Sequence, residues 1–99
     1  MRAVIQSFLD ETTADVFRDR NTRAARRIPR DLWRGVQRKL KLLDGAARLA
    51  DLTIPAGNRL ERLKGKRADR HSIRVNDQYR VTFRWESGHA DEVSVEDYH

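Results

Sequence analysis

The sequence closes on Asp97-Tyr98-His99, a carboxylate, a phenol and an imidazole in succession. Imidazole titrates near neutral pH, and a neighbouring carboxylate raises its pKa, so the group suits proton transfer. Taken by itself the tail is more simply a frayed end with an incidental histidine, and residue type alone ranks that reading first. A second constellation has firmer support. Ser72-Ile73-Arg74-Val75 and Tyr79-Arg80-Val81-Thr82-Phe83-Arg84-Trp85 alternate apolar and polar residues around Asn76-Asp77-Gln78. In a hairpin this alternation sets Arg74, Arg80 and Arg84 together on the polar surface of a sheet, where guanidinium groups can clamp a phosphate bidentately.

Other chemistries lack their residues. The chain has no cysteine, which excludes disulfides, thiolate metal ligands and a cysteine nucleophile. His71, His89 and His99 stand at no metal-ligand spacing from one another, and His71 and His89, at strand starts, are expected on the surface. There is no Gly-rich phosphate loop, nucleophile elbow or acid-base dyad of the hydrolase kinds. A reaction that needs no metal or cofactor fits better. RNA carries its own nucleophile, the 2′-hydroxyl, so its cleavage requires only a base, cations for the pentavalent phosphate and an acid for the leaving oxygen.

The charge pattern fits a polyanionic partner. Of 99 residues, 21 are Lys or Arg and 15 are Asp or Glu, for a net charge of +6. A membrane surface or an acidic protein would also suit that total, but the distribution favours nucleic acid. Arg18 to Lys41 holds ten basic residues against two acids, and Arg59 to Arg74 seven against two. Beyond Arg84 there is no Lys or Arg, while Glu86, Asp91, Glu92, Glu96 and Asp97 follow. Arg34, Arg38 and Lys41 form a stripe on one helix, and Lys66 and Arg67 lie in a basic turn. With Arg74 and Arg84 they make up the expected RNA- or ribosome-binding surface. No stretch approaches the roughly 20 apolar residues of a membrane span, and the first residues lack a signal-peptide pattern, so a cytoplasmic protein without a membrane partner is expected.

The elements that must position these side chains follow from periodicity. At this length one domain over residues 1–99 is the default. Ala3 to Phe8 is short and β-branched and predicts a first strand. Asp10-Glu11-Thr12-Thr13 caps a short helix to about Arg20. Ile28-Pro29-Arg30-Asp31 introduces the clearest helix, with Leu32, Val36, Leu40 and Leu43 on one face beside Trp33, running to about Asp44 and stopped by Gly45. Ala46 to Gly57 reads as a packed loop with one helical turn, and Leu60 and Leu63 mark a short strand. The hairpin follows, Ser87-Gly88 turns again, and Val93 and Val95 place a last strand that closes a meander.

The residues now fall into a recognisable order. Leu63-Lys64-Gly65, Ser72-Ile73-Arg74-Val75, Tyr79-Arg80-Val81-Thr82-Phe83-Arg84-Trp85 and Glu96-Asp97-Tyr98-His99 resemble the HigB family of plasmid-maintenance toxins, within the RelE superfamily. Ile5-Gln6-Ser7-Phe8 and Asn58-Arg59-Leu60 extend the resemblance over most of the chain. It implies an α+β fold, two N-terminal helices packed on a curved antiparallel sheet, and ribosome-dependent endoribonuclease cleavage of mRNA in the A site. It also implies a HigA-like helix-turn-helix antitoxin through which operator DNA is reached. Residue by residue, Lys64 matches a basic active-site residue, Arg80 a phosphate-binding arginine, and Asp97, Tyr98 and His99 the catalytic tail. Some relatives carry histidine three positions before the lysine, where this chain has Glu61. The alternative is a non-catalytic RNA- or ribosome-binding module, for which the basic surface suffices.

Overall fold

Alternation in the central hairpin decides which face of the sheet is buried. In the computed structural model, which describes residues 4–98, Ile73, Val81, Phe83 and Val93 are fully buried on one side of a four-stranded antiparallel sheet. The strands are β1 (Glu61–Arg62), β2 (Arg70–Arg74), β3 (Tyr79–Glu86) and β4 (His89–Asp97), in that spatial order. Two helices, α1 (Glu11–Phe17) and α2 (Trp33–Asp44), precede them. The expected α+β architecture is therefore present.

Helix α2 supplies most of the opposing core. Val36, Leu40 and Leu43 are fully buried and Trp33 nearly so, its indole Nε1 donating to the carbonyl of Ile28 at 2.9 Å. Leu32 is only partly covered, because Arg30–Leu32 forms a 3₁₀ turn before the α-helix proper. Gly45 ends the helix where expected, its N–H donating to the Lys41 carbonyl. Helix α1 starts at Asp10, whose carboxylate accepts from Thr13 N at 2.8 Å. It ends at Phe17, short of Arg20, since Asp19 turns left-handed (φ 58°). Gln37 then ties the two helices by donating to the Val16 carbonyl.

The predicted first strand takes a different form. Its Ala3 lies outside the described residues, and the rest runs parallel along the outer edge of β4 in two isolated bridges, Ile5 to Ala90 and Phe8 to Val93. Glu92 interrupts the ladder between them. It adopts φ 51°, donates its N–H to Ser7 Oγ, and lies opposite the register shift between Thr82 and Arg84. A bulge of this kind bends its strand and breaks regular pairing. The segment from Ala46 to Gly57, where one helical turn is predicted, holds the 3₁₀ turn Leu49–Thr53 and the start of a second, Ala56–Asn58. The expected strand near Leu60 and Leu63 is confined to the two residues of β1 between them.

Asp10 joins this edge to the helices, because its second carboxylate oxygen accepts from Ser94 Oγ at 2.6 Å. Asp10→Ala removes a helix cap worth about 1 kcal/mol and leaves buried Ser94 unpaired, for a total loss of about 2–3 kcal/mol. Urea unfolding is expected to show a lower midpoint with an unchanged slope. An unaltered midpoint would mean that the two bonds contribute nothing net.

Candidate functional site

The polar face of the sheet, opposite the core, carries Arg80, and strand pairing decides what surrounds it. Arg80 stands opposite Arg74 on β2 and Glu96 on β4. Its guanidinium is largely covered, with 12% of the side chain exposed, so its donors require partners. Nε donates to Ser72 Oγ at 2.8 Å, and one terminal nitrogen donates to the Arg59 carbonyl at 2.7 Å. These acceptors are neutral. The carboxylate of Glu61 approaches only to 3.9 Å and is 60% exposed. Arg80 is thus held in place while its charge stays largely uncompensated, a suitable state for binding a phosphate.

Glu96, the register partner of Arg80, turns its carboxylate elsewhere. It accepts from Thr82 Oγ1 at 2.5 Å and pairs with Arg67 at hydrogen-bonding contact. Burial pushes the Glu96 carboxyl up, but the bonds from Arg67 and Thr82 and the charges of Arg67 and Arg70 hold it below its ordinary value. The same bond raises the pKa of Arg67, with Tyr98 adding a smaller contribution. Tyr98 is 44% exposed, anchored by its N–H to the Gln78 carbonyl, and its ring centre lies 5.9 Å from the Arg80 guanidinium carbon. The Arg67–Glu96 pair therefore joins the 64–69 loop to the strand end that carries Tyr98.

Lys64 opens that loop as an exposed residue preceding the 3₁₀ turn Gly65–Arg67. Gly65 takes φ 67°, a left-handed conformation that strains residues with a Cβ. Asp97 is separated from the cluster. Paired with Tyr79, it sits on the helix side of the sheet, accepts from Gln78 Nε2 at 3.1 Å, and lines a shallow cleft with Asp10, Thr12, Arg27 and Tyr79. His99 lies outside the described residues. Of the five residues in the expected catalytic set, the structure brings Arg80 and Tyr98 together, puts Lys64 on the loop tied to them, and places Asp97 on the other side.

The expected RNA-binding residues divide into two groups. Arg34, Arg38, Lys41 and Lys66 are exposed. Arg67 is committed to Glu96, Arg74 pairs with the exposed Asp77, and Arg84 lies among Asp69 at 3.2 Å, Glu92 at 3.7 Å and Glu86 at 3.9 Å. Arg84 is consequently the most compensated of the three sheet arginines. His71 also departs from expectation: it is half-buried and stacked on Phe83, with burial first and the Arg62 charge second lowering its pKa. Among the described residues no group of three or more His, Asp or Glu is placed to hold a metal ion, and no helix is long and apolar enough to cross a membrane.

Ser72, Thr82, Glu96 and Arg70 belong to the site and are absent from the sequence-predicted set. Ser72 and Thr82 had a signal, since both alternate with core residues and must face Arg80. Arg70 had none. It is nearly buried and donates to Thr82 Oγ1 at 3.0 Å and the Glu92 carbonyl at 2.7 Å, a role that depends on the bulge.

Two helices on a four-stranded antiparallel sheet are the architecture of a RelE-like fold. A family model described as the RelE-like toxin of the type II toxin-antitoxin system HigB matches residues 6–99, and the chain belongs to that family. It is 48% identical over 63 residues to Toxin HigB-1 of Vibrio cholerae serotype O1, covering 64% of this chain and 66% of that protein. It is 33% identical over 70 residues to an uncharacterized protein of Haemophilus influenzae, covering 71% of this chain and 69% of the other. The aligned part spans about two thirds of each relative.

Because the Glu96 carboxyl titrates lower when folded, the stability it contributes is complete above its ordinary value of 4.5 and is lost as pH falls through the folded value. Glu96→Gln is expected to lower the denaturation midpoint at pH 7 and to narrow its distance from wild type as pH drops below 4.5. A pH-independent difference would show that the charge of Glu96 is immaterial to the pair.

Proposed function

We propose that this chain is a cofactor-independent endoribonuclease that cuts mRNA in the ribosomal A site and so arrests translation. The observation that carries this reading is the fixed, largely uncompensated guanidinium of Arg80 beside the exposed phenol of Tyr98. Membership of a type II toxin family supports it.

The chemistry needs little else. The 2′-oxygen of one nucleotide attacks the adjacent phosphorus, passes through a pentavalent phosphorane, and expels the 5′-oxygen of the next nucleotide. Arg80 and Lys64 stabilise the charge that accumulates on the phosphorane oxygens. Tyr98 and His99 exchange the two protons, one taken from the 2′-hydroxyl and one given to the leaving oxygen. Asp97, bonded by Gln78 on the far side of the sheet, fixes the strand end next to Tyr98. Glu61 stands 3.9 Å from Arg80 where some relatives have histidine, so it tunes the arginine's field in place of moving a proton.

The natural setting follows from the same reading. The exposed Arg34, Arg38, Lys41 and Lys66 meet the RNA of the ribosome or of its message, and the protein acts in the cytoplasm. A HigA-like helix-turn-helix antitoxin holds it inactive, and operator DNA is reached through that antitoxin.

Incubation with programmed ribosomes followed by mapping of mRNA ends tests the proposal. Wild type is expected to produce discrete A-site cuts, and Arg80→Gln and Tyr98→Phe to slow them by about 10²-fold or more. Ribosome binding with intact mRNA would overturn the enzymatic reading and favour a binding module.

A further inference from the structure

The 3₁₀ turn Ala56–Asn58 and the residue after it are gripped by cations from two directions. From the sheet, Arg80 donates to the carbonyl of Arg59. From α2, the ammonium of Lys39 donates to Oδ1 of Asn58, the residue immediately before. Asn58 is fully buried and is fixed by donating its amide to the carbonyls of Leu52 and Ile54 at 3.2 and 3.4 Å. Arg59 is held at φ 44°, a strained left-handed conformation for a residue with a Cβ, of the kind that gathers at functional sites. Two positive groups on separate elements thereby bond to consecutive residues of one turn.

The Lys39 end of this arrangement carries more positive charge. Burial lowers the Lys39 pKa, and so do the neighbouring charges of Arg38 and Arg74. The Arg38 side chain lies against α2 at Gly35, on the same side as Val75, the residue after Arg74. The partner of Arg74, Asp77, is fully solvated, so it screens the cluster weakly. Arg74 in turn stands directly opposite Arg80 in the sheet. A row of cations therefore leads from α2 to the Arg80 clamp.

We propose that Lys39, assisted by Arg38 and Arg74, forms a second phosphate subsite that binds the substrate phosphodiester next to the one held by Arg80. This rests on the RNA-cleaving reading above and gives it a direction, because the strand runs from the sheet face toward α2 across the Asn58–Arg59 turn. Lys39 is a binding residue there and takes no part in proton transfer. Its lysine chemistry suits the role, as a compact charge meeting one phosphate.

The test uses the full chain and a short single-stranded RNA with a 2′-O-methyl group at the scissile position, which binds without being cut. Removing one cation that neutralises a phosphate of a single strand flattens the plot of log affinity against log salt by about 0.7. Lys39→Gln is expected to show that flattening with about a tenfold loss of affinity, and Lys39→Arg to retain wild-type behaviour. Replacing the adjacent linkage by a neutral methylphosphonate should weaken wild type by a similar factor and leave Lys39→Gln unchanged. If that linkage weakens both proteins equally, the subsite is disproved.

Arg38→Gln leaves the Asn58 contact intact and carries the same cycle should Lys39→Gln fold poorly, with a loss of about threefold expected. On programmed ribosomes, Lys39→Gln should raise the half-saturating ribosome concentration while the rate at saturation stays within twofold. A rise that ignores which mRNA linkage is neutral would assign these cations to ribosomal RNA and overturn the proposal. Binding that follows the expected pattern without any cleavage would instead defeat the enzymatic reading and leave the subsite standing.

Discussion

A guanidinium that is almost covered and yet lacks a close carboxylate constrains much of this molecule. Covering a charge is costly unless each donor finds an acceptor. At Arg80 those acceptors are a serine hydroxyl and a backbone carbonyl, which orient the group without cancelling it. Ser72 must then occupy a polar position on β2, and Arg59 must hold a left-handed conformation that offers its carbonyl. Glu96, the obvious neutralising partner by register, is drawn away by Thr82 and Arg67. The polar residues around Arg80 thus fix its guanidinium with neutral acceptors and draw the nearest register carboxylate away.

The buried arginine at the opposite end of β2 is held differently, with the Glu92 carboxylate 3.6 Å away and its Nε left without a partner among the described residues. Arg70 reaches across to Thr82 and to the carbonyl of Glu92, whose left-handed backbone turns that carbonyl inward. Thr82 consequently accepts from one arginine and donates to the glutamate that holds another. The bulge that breaks pairing with the N-terminal segment is also the source of an acceptor. The irregularity of β4 and the order of the polar face are one feature seen from two sides.

Much of this could be read from the chain, and the reasons for the remainder are physical. The hairpin, α2 and its stop at Gly45 are set by local periodicity and caps, which act within a few residues. Alternation likewise put Arg74 and Arg80 on one face. What escaped depends on contacts distant in sequence: the pairing of Arg67 with Glu96, the covering of Arg70, and the grip of Lys39 on Asn58. The family resemblance named Asp97 alongside Tyr98, yet consecutive strand residues face opposite ways, and only the register with Tyr79 shows which side each occupies. The N-terminal segment was legible as extended chain. Its interruption was not, because the cause is a left-handed residue more than 80 positions away.

The flanks of the sheet have a further consequence. One side ends in a strand of two residues, and the other is lined by the segment that bridges at Ile5 and Phe8. Neither offers the long row of bare amides and carbonyls on which a foreign strand can build. A charge-rich chain whose core spans few layers would otherwise be open to stacking with its own copies. Among the described residues, both margins of the sheet are short or covered, so what the basic surface presents outward is side chains and not bare backbone.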